Sequence, residues 1–291
     1  MTETFDADWL AAREPFDAAA RSVGLAGRLA ASLPARPRLL DLGAGTGSLF
    51  RWLAPVIGRA QVWTLADADA DLLDAAFIEC AAWGADQGFA ATFPGSAHNR
   101  ALLLHTPRGA WRVEAMRVNL ADMPEALPLG RFDAVVCSAL LDLVSYGWLE
   151  RFCAALPVPL LACLSVDGRD AFLPCDAVDR IVRRGFRLDQ GRAKGLGPAL
   201  GRQAPRVLHA LLTARGFRVT SAASDWRIPR AALPMLRALV QSHADVATRH
   251  LPAWRGAIEG WARTRLRQIE TGRLAIRVGH RDSLAEPPSN D

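Results

Sequence analysis

Residues 39–53, LLDLGAGTGSLFRWL, decide the fold. An apolar, strand-like run (LLDL) enters a turn carrying Gly43, Gly45 and Gly47, and a helix-like run leaves it. A strand, a glycine-rich turn and a helix in that order form the ligand-holding corner of an α/β sheet. The spacing excludes two common ligands. A dinucleotide fingerprint, G-x-G-x-x-G, needs its third glycine at position 48, where Ser48 stands, and no G-K-[ST] follows to make a phosphate loop. Asp41, at the end of the strand, also argues against phosphate, because the two charges repel.

Asp41 suits a ligand with a positive amino group. The amides of the turn and the helix N-terminus can meanwhile receive a carboxylate. A zwitterionic amino acid moiety fits that pair of charges. A second acid, Asp67, ends the next strand, QVWTLAD (61–67). A carboxylate there can accept hydrogen bonds from both hydroxyls of a ribose. An amino acid at one end and a ribose at the other describe S-adenosylmethionine.

Outward from this corner, strands and helices alternate. Residues 5–33 read as helical, with Pro15 opening a second helix. Strands are expected at 38–42, 61–67, 100–105 paired with 111–118, 131–139, 159–166 and within 217–228, with helices at 46–57, to about Trp83, around 146–156 and at 205–215. The stretch 85–110 reads as largely irregular, and 167–203 as a long loop with a little helix. Two further helices, about 230–250 and 252–271, precede a last strand, RLAIRVGH (273–280), and a frayed tail. This alternation implies an α/β fold with a mainly parallel sheet, whose ligands lie beyond the carboxyl ends of the strands.

Four segments in order resemble the motifs of class I S-adenosylmethionine-dependent methyltransferases. LLDLGAGTG (39–47) resembles the first and WTLADAD (63–69) the second, with its ribose-binding acid. RVNLADMP (117–124) resembles the third, and RFDAVVCSALLDLV (131–144) the fourth. Their order is more specific than any one of them. WLAAREPFDAAAR (9–21) and AKGLGPALG (193–201) resemble a bacterial subgroup acting on small molecules.

The resemblance implies a Rossmann-like sheet of seven mainly parallel strands in the order 3-2-1-4-5-7-6, strand 7 antiparallel and supplied by RLAIRVGH, with helices on both faces plus helical elaborations. It implies one domain over 1–291: an N-terminal helical cap (1–34), a cofactor-binding half (35–166), an active-site loop (167–203) and a helical insertion (229–271). The expected cofactor contacts are Asp41, Gly43, Ala44, Gly45, Thr46, Gly47, Asp67, Ala68, Asn119, Leu120 and Ser138. Asn119 stands where the family often has an acid, and Asp122 follows three residues on; either can serve the adenine. Asp142 is a general base, a substrate anchor or a polar helix residue. Arg13, with Glu14, closes the first helix over the site or forms a surface ion pair. Lys194, the single lysine, is a candidate anchor for a substrate anion.

Composition bounds the alternatives. No apolar run approaches the ~20 residues of a membrane span, the acidic N-terminus is not a secretory signal, and five cysteines without C-x-x-C spacing read as unpaired thiols. A cytoplasmic enzyme with a small-molecule substrate is expected; no metal is implied, and the sequence sets no oligomeric state. The net charge of +5 comes from arginine, an abundance that fits a GC-rich genome. Eight arginines between Arg249 and Arg281 face only Glu259 and Glu270, which keeps RNA methylation as an alternative. Against it, SALL (138–141) stands where amino-group methyltransferases of nucleic acids carry [ND]-P-P-[YF]. A cofactor-binding partner or regulatory protein without catalysis is a third reading.

Overall fold

Short apolar runs and amphipathic helices wind this chain into an α/β structure. The computed structural model describes residues 7–94, 101–121, 127–193 and 195–288. Helices α1 (Ala7–Ala20) and α2 (Val23–Ser32) lead into β1 (Arg38–Leu42), α3 (Ser48–Ile57), β2 (Gln61–Asp67) and α4 (Ala70–Asp86). Strands β3 (Ala90–Thr92), β4 (Ala101–Thr106) and β5 (Gly109–Arg117) form an antiparallel meander. Then come β6 (Ala134–Ser138), α5 (Tyr146–Ala155), β7 (Leu160–Val166), β8 (Ala171–Leu173), α6 (Asp179–Gln190), α7 (Ala204–Ala214), β9 (Arg218–Ala223) and β10 (Trp226–Ile228). The chain closes with α8 (Leu233–His250), α9 (Arg255–Glu270), β11 (Ala275–Val278) and β12 (His280–Glu286).

The main sheet is Rossmann-like. Strands β5, β2, β1, β6 and β7 are parallel neighbours, and the apolar side chains of β1, β2, β6 and β7 are covered on both faces. One face packs α2, α3 and α4 through Leu29, Phe50, Leu53, Trp63 and Phe77. The other packs α5 and α7 through Leu40, Val135, Trp148, Phe152 and Leu208. A third core, around Phe172, Trp226, Leu236, Val240 and Trp261, joins α6, α8 and α9 to a small sheet of order β10-β11-β8.

Several expectations need correction. The main sheet has nine strands, in the order β3-β4-β5-β2-β1-β6-β7-β12-β9, rather than seven. The strand expected at 100–105 is β4, which pairs with β5 as anticipated. The stretch before it, expected to be irregular, adds β3 at the sheet edge, and Leu104 of β4 packs within 2.7 Å of the Cβ position of Gly84 in α4. RLAIRVGH is not the antiparallel strand of the main sheet. Residues 275–278 pair within the small sheet, and the chain passes Gly279, where a Cβ would fall 2.5 Å from Asp167 Oδ1. The strand that enters the main sheet, antiparallel to β7 and β9, is His280–Glu286, so the supposed frayed tail is partly core. Pro15 does not open a second helix: α1 runs through it, and the break falls at Ser22, whose Oγ caps α2 by accepting from Leu25 N–H. The 167–203 segment holds α6, a helix of 12 residues. Among the described residues, no helix is long and apolar enough to cross a membrane.

Candidate functional site

The glycine turn sits at the carboxyl end of β1. Gly43, Gly45 and Gly47 have φ of +66°, +53° and +80°, a left-handed backbone that a side chain would strain. The amides of Gly43 and Ala44 both donate to Ala66 O, at 2.8 and 3.2 Å, which pins the turn to β2. Asp67 completes the tie: its Oδ2 accepts Gly45 N–H at 2.9 Å, and its Oδ1 accepts Asp69 N–H at 3.1 Å. The N-cap of α4 is Asp69 rather than Asp67.

A cavity of about 600 Å³ lies over the ends of β1, β2, β5 and β6, within the size range of small-molecule sites. Of the sequence candidates it brings together Gly43, Gly45, Asp67, Ala68, Asn119, Leu120, Ser138 and Arg13. A recess of about 50 Å³ continues from it, lined by Asp41, Ala44, Thr46 and Ser48, and shares Arg13, Gly43, Gly45 and Ser138 with it. Gly47 lines neither; a Cβ there would meet Cys80 Sγ at 3.0 Å. Asp142 also stands outside both linings, and its carbonyl accepts Gly201 N–H at 2.9 Å. Lys194 and Asp122 lie outside the described residues, although Gly195 and Leu196 line the cavity.

Asp41 is the electrostatic focus. It is 1% exposed, and neither carboxylate oxygen has a hydrogen-bond partner among the described residues. Burial pushes its pKa up to about 8; the Arg21 guanidinium opposes that shift, and the neighbouring Asp67 adds to it. Arg21 is a site residue that the sequence reading missed. Its Nη2 donates to Ser48 Oγ at 3.1 Å and Ser138 Oγ at 3.0 Å, clamping the start of α3 to the end of β6. The signal available was its spacing of four from Asp17, with which it pairs at 3.8 Å. Next to Ser138, Ala139 lines both spaces with φ of +53°, a strained conformation of the sort that collects at functional sites.

The roof comes from α1 and the 195–196 segment. Leu10 lies 3.3 Å from where a Cβ of Gly45 would stand. Arg13 donates to Asp17 at 3.0 Å and stacks over Trp226 at 5.1 Å, and Glu14 pairs with Arg51, whose Nη1 also reaches Thr46 O in the glycine turn. Sequence reading also missed Arg117, Asp71 and Leu143, which line the cavity. Four of the five cysteines are buried, and burial pushes the thiols of Cys80, Cys137, Cys153 and Cys163 up, which disfavours a thiolate nucleophile. The arginines between 249 and 281 do not form one patch. Arg249, Arg265 and Arg277 are tied to Asp189, Asp179 and Asp225, and Arg265 is fully buried.

No family model matches the chain. A stretch of 50 residues, 17% of the chain, is 54% identical to the biotin biosynthesis bifunctional protein BioCD of Bordetella avium and spans 10% of that protein. Among solved structures, the chain is similar to the Haemonchus contortus phospholethanolamine N-methyltransferase 2 in complex with phosphomonomethylethanolamine and S-adenosylhomocysteine, at 12% identity, 88% of this chain, 50% of that one and a TM-score of 0.38. It is also similar to the cyclopropane synthase MmaA2 of Mycobacterium tuberculosis, at 13% identity, 91% of this chain, 82% of that one and a TM-score of 0.42.

Proposed function

We propose that the chain is an S-adenosylmethionine-dependent methyltransferase acting on a small-molecule acceptor. The observation that carries this reading is the buried, unpartnered carboxylate of Asp41, facing a recess beside the glycine turn. Such a group is stabilised by a cation that also donates hydrogen bonds, and an α-ammonium group has that charge and size. Asp67 keeps lone pairs for the two ribose hydroxyls, since its backbone contacts use one on each oxygen. Ala68, Leu72, Leu120 and Leu143 offer apolar walls to adenine, with Asn119 at their edge. Ser138 and Ala139 border both spaces, where the two ends of one ligand would meet. Bound there, the cofactor supplies a methyl group already activated by a sulfonium.

The chain's task is then to align an acceptor and exclude water. Leu10 and Arg13 on one side and Gly195 and Leu196 on the other close over the cavity for that purpose. This gives the N-terminal cap and the 167–203 segment a shared role above the floor built by 35–166, while 229–271 belongs to the separate helical lobe. With the β3–β4 hairpin set aside, the remaining run β5-β2-β1-β6-β7-β12-β9, with β12 antiparallel, supports the same reading.

Calorimetric titration with S-adenosylmethionine and S-adenosylhomocysteine, beside NAD, tests it. Binding of the first two and not of NAD is expected. Asp67→Ala should weaken it at least about tenfold, because a hydrogen bond to a charged group contributes roughly 1.5–3 kcal/mol. Folded protein that binds neither sulfur compound overturns the proposal.

A further inference from the structure

A second cavity, of about 650 Å³, opens between α7 and the strands β9 and β12. Arg169, Arg202, Arg206, His209 and Arg281 line it, against the single carboxylate of Asp167. That carboxylate is already neutralised. Arg169 pairs with Asp167 and Asp225, and Arg277 also faces Asp225, so two cations balance two acids. The guanidinium groups of Arg202, Arg206 and Arg281 have no ion pair or hydrogen bond among the described residues. Three uncompensated guanidinium groups therefore share one concave surface.

Local geometry brings them together. Arg202, Arg206 and His209 follow one another at spacings of four and three, which sets them on one stripe of α7 and its leading turn. Gly168, with φ of +78°, makes room for Arg202: a Cβ there would stand 3.0 Å from Arg202 Cδ. Arg281 sits where the pairing of β12 with β7 slips by one residue, between Arg281 and Ser283. Such bulges re-aim a side chain and are frequent beside functional sites.

We infer that this groove is a binding site for a small phosphate-bearing ligand, separate from the cavity proposed for the cofactor. Planar guanidinium forks match phosphate oxygens in pairs, and three of them suit a group with two or more negative charges better than a single carboxylate. The concave shape and volume fit a metabolite, whereas a nucleic acid strand is followed along an open basic track with aromatic stacking. The inference does not depend on the identity of the cofactor.

The test is calorimetric titration of the whole protein with inorganic pyrophosphate at low ionic strength, with succinate and a short single-stranded oligoribonucleotide as parallel arms. Saturable pyrophosphate binding is expected, weakened by added salt. Arg202→Ala and Arg206→Ala, both at exposed positions, should each weaken it about tenfold or more while S-adenosylhomocysteine binding stays as it was. Circular dichroism melts establish that the variants fold. No saturable binding, or binding unmoved by both variants, overturns the inference. Succinate binding as tightly as pyrophosphate would assign carboxylates instead. Tighter binding of the oligoribonucleotide, lost in the same variants, would assign nucleic acid; either result also overturns it.

Discussion

Asp41 holds its proton up to about pH 8, mainly because it is buried, with Arg21 opposing and Asp67 adding to the shift. An acid whose folded pKa lies above its unfolded value makes the folded state bind more protons between the two values. Stability then falls as pH rises from about 3.8 to about 8. Asp41→Asn removes that slope, so its stability advantage over the wild type should grow across the window, measured by urea unfolding at a series of pH values. His280 acts in the opposite sense, since burial pushes its pKa down to about 4, but it contributes equally to both proteins and cancels. An ammonium ligand reverses the effect at Asp41. Near neutral pH its binding should release a proton, read from calorimetry in buffers of different ionisation enthalpy, and Asp41→Asn should abolish the release. Variant and wild type with parallel pH dependence would refute the role given to Asp41. Asp41 and Asp67 were legible in the sequence because an acid ending an apolar strand stands out. Arg21 was not, because its partners Ser48 and Ser138 are 27 and 117 residues away.

At the scale of elements, legibility followed burial. Four of the five parallel strands, β1, β2, β6 and β7, read correctly because strands covered on both faces are nearly continuous apolar runs; β5 is buried through one face only, at Trp111 and Val113. β12 was missed because HRDSLAE carries charge into the core. Asp282 is fully buried there, and its carboxylate accepts Leu164 N–H at 2.8 Å and Ser22 N–H at 2.7 Å. It thereby holds Leu164 at φ of +55° and fixes the start of α2 to the sheet. A buried acid satisfied by backbone amides is indistinguishable in sequence from a solvated one. Asp282→Ala leaves both amides unpaired, at a cost of about 1–3 kcal/mol each. A loss of roughly 2–6 kcal/mol in urea unfolding is therefore expected, and a loss below about 0.5 kcal/mol, the range of ordinary surface substitutions, would show that the bonds contribute nothing. Helix α1 was misread for a related reason. Pro15 reads as a helix start, yet contacts on both sides of it, Glu14 to Arg51 and Asp17 to Trp226, hold one continuous helix.

Across the whole molecule, α1 links the candidate site to α3 and to the small sheet. Leu10 and Arg13 roof the cavity, Glu14 reaches α3 through Arg51, and Asp17 accepts Trp226 Nε1 from the small sheet at 2.9 Å. That last bond joins residues 209 positions apart, so no local pattern could reveal it. The helical lobe, which carries no glycine turn and none of the acids at the strand ends, thus bears on the cavity through the helix that covers it. A ligand that enters past Leu10 and Arg13 must lift α1, and the bond from Trp226 is a buried contact that resists lifting. Trp226→Phe keeps an aromatic ring beneath Arg13 and removes the donor. A hydrogen bond to a charged acceptor contributes roughly 1.5–3 kcal/mol, so opening of α1 should become about tenfold more frequent or greater. Hydrogen exchange of the α1 amides should rise accordingly, and stopped-flow binding of S-adenosylhomocysteine should speed up in both directions. The equilibrium affinity should change less than the rates, because Asp41 and Asp67 are untouched. Faster exchange with unaltered binding rates would show that the ligand enters without moving α1, by the side of the cavity that Gly195 and Leu196 close.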